Sequence, residues 1–283
     1  MPGPPWPAPA KINLFLHITG RRPDGYHELQ TVFQFLDYGD ELVFSLREDG
    51  RILRGGGSYG IAEDEDLAVR AARTLQAETG ATPGVEIGVT KHIPTGGGLG
   101  GGSSDAATVL VALNRLWETG LGTDELAAIG LGLGADVPVF IHGHAAWAEG
   151  VGEKLVPVDP PQDWYLILHP GCSIPTASIF NAPDLTRNTP PITIRDFLAG
   201  AGQNDCEPVV FAAYPEVAGA AQWLREHAGG ARLTGTGACL FARCASREEA
   251  AALAARIPPP WRGFAARGLN RSPLLERLHL EGA

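Results

Sequence analysis

Apolar and polar positions change period several times along the chain. Residues 12–19 are largely apolar and read as a buried strand, and residues 31–35 and 42–46 read as two more, with Gly39-Asp40 as the turn between them. The acidic stretch 63–66 opens a helix carrying Leu67, Ala71 and Leu75 at helical spacing and closed by Gly80. Val85, Ile87 and Val89 alternate with Glu86, Gly88 and Thr90, which predicts a strand exposed on one face. A glycine run follows. Beyond it, Ser103 or Ser104 can cap a helix bearing Ala107, Leu110, Val111 and Asn114, and a second helix starts near Thr123-Asp124. The apolar run 137–141 predicts a strand.

Residues 156–162, rich in Pro and Asp, predict a linker. After it come a strand at 164–169, a helix at 215–228 closed by Gly229-Gly230, and strands at 232–234 and 238–244 around the turn Gly235-Thr236-Gly237. Ser246 with Glu249 forms a capping box for the next helix, and 263–269 is the last strand. Strand pairs mixed with helices predict an α+β protein. Its 283 residues exceed one ordinary core, so two domains are expected, at 1–155 and 156–283.

Charge narrows the choice of partners. The formal net charge is −10, so general nucleic-acid binding, which needs clustered cations, is not expected. With no apolar stretch of 18 residues and no leader pattern before Ala8-Pro9-Ala10, a cytoplasmic protein without a membrane partner is expected. Cys172, Cys206, Cys239 and Cys244 lack metal-site spacing and read as reduced thiols, with no metal ligands of their own. Of 22 basic residues only Lys11, Lys91 and Lys154 are lysines. In so arginine-rich a chain, a retained lysine suggests a task for a compact, tunable ammonium.

The strongest chemical signal is Pro94-Thr95-Gly96-Gly97-Gly98-Leu99-Gly100-Gly101-Gly102-Ser103-Ser104. Six glycines in seven positions lose much backbone entropy on ordering, which is useful where backbone N–H groups must close on a large anion. A strand before the run and an apolar helix after it argue against a flexible linker, and a helix N-terminus favours phosphate. The P-loop pattern is missing, because Gly102-Ser103 stands where Lys-Ser or Lys-Thr is required. Gly96, Gly98 and Gly101 match the dinucleotide spacing, but Lys91 to Thr95 separate the loop from its strand, which weakens an oxidoreductase reading. Lys11 and Asn13 share one side of the first strand, opposite Ile12 and Leu14. Asp136 is a single acid in an apolar segment, either a cap or turn residue, or else a general base or a partner of Lys11.

The segments Pro9-Ala10-Lys11-Ile12-Asn13-Leu14, the glycine run through Asp105-Ala106-Ala107, and Leu233-Thr234-Gly235-Thr236-Gly237-Ala238-Cys239 together resemble the three motifs of the GHMP kinases. That family includes galactokinase, homoserine kinase and mevalonate kinase. Residues 22–29, 134–138 and 204–207 narrow the resemblance to members acting on a cytidyl diphosphate alcohol.

The resemblance implies an N-terminal α/β domain of ribosomal-protein type and a C-terminal ferredoxin-like domain. It makes Lys11 and Asp136 the catalytic pair, and residues 94–104 with Lys91 the ATP site. Asn13, Tyr26, His27 and Phe180 become substrate-binding residues, with Tyr26 and Phe180 stacking on the base. It implies ATP and Mg²⁺ as cofactors and a monomer or weak homodimer. Asp66 stands where the family would favour Asn beside adenine, and a carboxylate accepts hydrogen bonds but cannot donate them.

Overall fold

Two long strands open the chain, β1 (Trp6–Arg21) and β2 (His27–Arg47), paired antiparallel from Trp6↔Leu42 to Arg21↔His27. The computed structural model describes residues 4–56 and 61–281. β3 (Ile52–Gly55), α1 (Leu67–Thr79) and β4 (Gly84–Thr90) precede the glycine loop. After the loop come α2 (Gly101–Leu116), α3 (Thr123–Leu131), α4 (Val137–His142) and the hairpin β5 (Ala146–Gly150) with β6 (Lys154–Pro157). The remainder is β7 (Trp164–His169), α5 (Thr176–Phe180), α6 (Ile194–Leu198), α7 (Glu207–Ala213), α8 (Pro215–Ala228), β8 (Arg232–Leu233), β9 (Leu240–Cys244), α9 (Arg247–Ala254), β10 (Arg262–Leu269) and α10 (Pro273–Glu281).

The strands join in the order β3-β4-β2-β10-β7-β9-β8, with β1 and β5 also pairing with β2 and β6 with β5. β3 and β4 run parallel, and the other pairings are antiparallel. This is the mixed α+β architecture that the element pattern predicts. β10 links the halves: residues 262–267 pair with β7, and then Gly268 and Leu269 pair with Leu36 and Phe35 of β2.

Three apolar cores follow from the alternation of side chains along the strands. One lies between β1, β2 and β4 and the helices α1 to α4, around Phe35, Leu75, Ile87, Leu110 and Phe140, and it also takes in Leu274 of α10. A second packs β7 and β9 against α7, α8 and α9. The third fills the space between β1 and the opposite face of β7 and β9, where Ile12 and Leu14 meet Tyr165, Ile167 and Phe241. Antiparallel strands with helices on one face form the ferredoxin-like half. All four cysteines are free thiols.

Three local expectations are corrected, and a fourth holds only in part. Gly39-Asp40 is not a turn, because β2 runs through it for 21 residues. Gly39 is needed there for close approach, since a Cβ would lie 2.4 Å from the Ala8 carbonyl oxygen of β1. Residues 137–141 form helix α4 instead of a strand, ended by Gly143 in the left-handed region at φ 65°. A short apolar run carries no period that separates the two. Helix α2 starts at Gly101 with Gly100 as its cap, so Ser103 and Ser104 fall inside its first turn. The capping box at α9 is half formed: Ser246 accepts from the Glu249 N–H, while the Glu249 carboxylate accepts from the N–H of Ala245.

Candidate active site

Gly96, Gly98 and Gly100 have φ of 70°, 73° and 74°, so every second residue of the loop lies in the left-handed region. Such alternation turns successive N–H groups toward one concave side, a shape suited to anions. The loop carbonyls face away, into the protein. Gly96 and Gly97 accept from the N–H groups of Ala238 and Cys239, and Leu99 accepts from the N–H of Lys11. Gly98 accepts from Lys11 Nζ at 3.1 Å and Thr234 Oγ1 at 3.2 Å. A Cβ at Gly98 would lie 2.3 Å from the Thr234 carbonyl oxygen, so only glycine fits this wall. The N–H groups of Gly101, Gly102 and Ser103 belong to the first turn of α2, where a helix has no internal acceptors for them.

The loop walls a cavity of about 580 Å³. Lys11 and Asn13 do project to one side of β1, and both line it. Lys11 Nζ lies 3.2 Å from Asp136 Oδ2 and donates to Asn13 Oδ1 at 2.7 Å. Asp136 begins α4, its side chain caps nothing there, and 34% of it is exposed. Asn13 Nδ2 donates to Thr31 Oγ1 at 2.9 Å, and the Thr31 hydroxyl donates to the Phe15 carbonyl. Because that single proton is committed to Phe15, Thr31 can only accept from Asn13. The amide is thereby oriented with its oxygen toward Lys11.

Lys91 also lines the cavity, but its ammonium is engaged from behind by Asp40 and Asp105, the latter at 2.7 Å. Asp40 accepts from the N–H groups of His92 and Ile93 as well, at 2.6 and 2.8 Å. This triad ties β2, the end of β4 and the second turn of α2 together beneath the loop. Burial lowers the Lys91 pKa, but the two carboxylates outweigh it and leave the ammonium above its ordinary value. Burial pushes the Asp105 carboxyl up to about 7, opposed by Lys91 and reinforced by the Asp40 charge.

The cavity brings together Lys11, Asn13, Lys91, Asp136, Phe180 and residues 94–103. Ser104 is fully buried and does not line it. Tyr26 lies outside it, 63% exposed. His27 lies behind Phe180, with its ring stacked at 5.1 Å between centroids. Asp66 lines the cavity while its Oδ1 caps α1 through the Ala68 N–H, and Oδ2 lies 3.5 Å from Arg54. Thr31, Asp40, Thr234 and Arg187 escape sequence reasoning as site-shaping residues. Thr234 falls in a motif that could have marked it, whereas Arg187 carries no local signal.

Among the described residues no group of three or more His, Cys, Asp and Glu side chains is arranged to hold a metal. Mg²⁺ does not require one, since it is bound through one or two protein oxygens plus substrate phosphates. Asp136 and Ser103, both on the cavity wall, supply oxygens of that type. The antiparallel pairing of β4 with β2 removes the parallel crevice that a dinucleotide fold uses.

A sequence profile described as the GHMP kinases N terminal domain matches residues 66–144, and one described as GHMP kinases C terminal matches 188–261. The chain is 60% identical over 272 residues to a 4-diphosphocytidyl-2-C-methyl-D-erythritol kinase of Halorhodospira halophila, covering 95% of this chain and 94% of that protein. It is 58% identical to the protein of the same name from Alkalilimnicola ehrlichii, covering 98% and 94%. A crystal structure of 4-(cytidine 5'-diphospho)-2C-methyl-D-erythritol kinase superposes with a TM-score of 0.80 at 35% identity, covering 93% of this chain and 98% of that one. The mevalonate kinase of Methanococcus jannaschii shares the fold, with a TM-score of 0.69 at 17% identity over 93% of this chain and 97% of that one. With a glycine-walled cavity, a lysine–aspartate pair and relatives matched along nearly their whole length, this chain belongs to the GHMP kinases.

Proposed function

We propose that the chain transfers the γ-phosphoryl group of ATP to the C2 hydroxyl of 4-diphosphocytidyl-2-C-methyl-D-erythritol, giving the 2-phosphate and ADP in non-mevalonate isoprenoid synthesis. The observation that carries the reading is the Lys11–Asp136 contact at 3.2 Å on the wall of a cavity lined by the glycine loop. Asp136 takes the proton of the C2 hydroxyl as its oxygen attacks the γ-phosphorus and the bond to the β-phosphate oxygen breaks. Lys11, held by Asn13 and the Gly98 carbonyl, offsets the negative charge that develops on the transferring group. The loop N–H groups and the first turn of α2 take the ATP phosphates, with Lys91 shaping that end. Mg²⁺ would be held by phosphate oxygens with Asp136 or Ser103, and it supplies positive charge across the phosphates.

In the same reading Phe180 and Tyr26 stack on the cytosine, and the His27 main chain reads its polar edge. The ATP side belongs to residues 1–155 and the C-terminal unit 156–283 closes the substrate side. The enzyme works as a monomer or weak homodimer in the cytoplasm, without nucleic-acid or membrane partners.

ADP release measured in parallel with the cytidyl substrate, mevalonate and homoserine tests the assignment. Turnover with mevalonate or homoserine alone would overturn it. Thr31→Val, which keeps the shape but removes the acceptor that orients Asn13, is expected to lower kcat about tenfold with little change in KM for ATP. Thr31→Ser is expected to retain wild-type turnover. Equal kcat for the Val and Ser variants would show that the amide needs no such orientation.

A further inference from the structure

Arg187 follows α5 in an irregular segment and is half-buried. Its guanidinium makes four hydrogen bonds. Nη1 donates to the Leu185 carbonyl at 3.0 Å, and Nη2 donates to the carbonyls of Phe180 at 2.9 Å and Ala182 at 2.7 Å. Nε donates to His27 Nε2 at 3.1 Å. An arginine nitrogen can only donate, so His27 Nε2 must present its lone pair. A neutral imidazole then carries its proton on Nδ1. Burial lowers the His27 pKa, and the cations Arg187 and Arg21 lower it further, in keeping with a neutral ring. His27 stacks on Phe180 at an interplanar angle of 22°, and Phe180 lines the cavity.

We propose that Arg187 is a positioning residue for recognition of the planar base. By one set of bonds it fixes the segment that presents Phe180, and by the fourth it locks the tautomer and plane of the His27 ring that backs Phe180. This inference rests on the cytidyl reading above for the identity of the base. Arg187 itself touches neither the phosphate loop nor the Lys11–Asp136 pair, so its effect belongs to binding of the base and not to phosphoryl transfer. Only a planar fork with donors on three nitrogens serves all four acceptors, and lysine, with one nitrogen, cannot.

The test compares Arg187→Lys, which keeps the charge, with Arg187→Gln, which removes it, after melting curves confirm that both are folded. Nitrogen-15 NMR of the ligand-free wild-type protein is expected to place the His27 proton on Nδ1, and both variants are expected to show mixed tautomers. In kinetics, KM for the cytidyl substrate is expected to rise about tenfold or more, with kcat and KM for ATP changed less than about twofold. A wild-type His27 protonated on Nε2, or an unchanged KM for the cytidyl substrate in both variants, would overturn the proposal. So would a loss spread equally over kcat and both KM values, which marks a general structural role. No wild-type turnover of the cytidyl substrate would sink the functional reading instead, and the tautomer measurement would still decide whether Arg187 fixes His27.

Discussion

Asp136→Asn is expected to lower kcat by roughly 10²–10⁴-fold, the usual contribution of a general base, with KM for ATP little changed. Asparagine keeps the size and the planar end of the side chain, and its oxygen can still accept from Lys11 Nζ, now 3.2 Å from Asp136 Oδ2. What it loses is the ability to take a proton. The substitution also takes the carboxylate charge from the buried Lys11 ammonium and leaves it only neutral acceptors, the new amide oxygen beside Asn13 Oδ1 and the Gly98 carbonyl. A melting curve must therefore accompany the kinetics, and some loss of stability is expected. If the folded variant turned over at near-normal rate, Asp136 would have no role as the base. A pH–rate profile separates the two effects further, since a lost base abolishes the acidic limb of kcat and a merely weakened fold does not.

How far the sequence reveals this site depends on the range of the interactions involved. The glycine run between a strand and an apolar helix is legible because its meaning is local: backbone N–H groups, left-handed φ values and a helix start all lie within a dozen residues. The common side of Lys11 and Asn13 is equally local, set by strand alternation. Asp40 was obscured because Gly-Asp is turn chemistry when read alone, whereas here Gly39 admits the Ala8 backbone and Asp40 reaches Lys91, 51 residues away. Helix α4 looks like a strand in the sequence because five buried apolar residues satisfy either period. Thr31 looks like any threonine of a buried strand until its one proton is seen to be committed to Phe15. Arg187 gives no signal at all, since its partner His27 lies 160 residues earlier.

Asp40→Ala is expected to destabilise the protein by about 3–5 kcal/mol, the loss typical when one partner of a buried ion pair is removed. Two N–H groups, of His92 and Ile93, lose their acceptor, and the Lys91 ammonium loses one of its two carboxylates. Those residues join β4 to the phosphate loop, so KM for ATP is expected to rise as well. Urea unfolding midpoints measure the first effect, and a midpoint equal to wild type would show that the triad carries no net stability. Asp105→Asn gives the contrast. Burial holds the Asp105 carboxyl at about 7, above the unfolded value of about 4, so its ionisation opposes folding. Its contribution to stability is whole below pH 4 and is lost as pH rises through 7. Asparagine mimics the neutral form, so Asp105→Asn should cost far less than Asp40→Ala and should gain on wild type between pH 4 and 8. Equal losses for the two variants at every pH would mean that Asp105 is ionised beside Lys91 throughout and that its burial does not oppose folding. The difference expected here instead assigns Asp105 as the carboxyl whose burial costs stability once it ionises, beside the ion pair of Lys91 with Asp40.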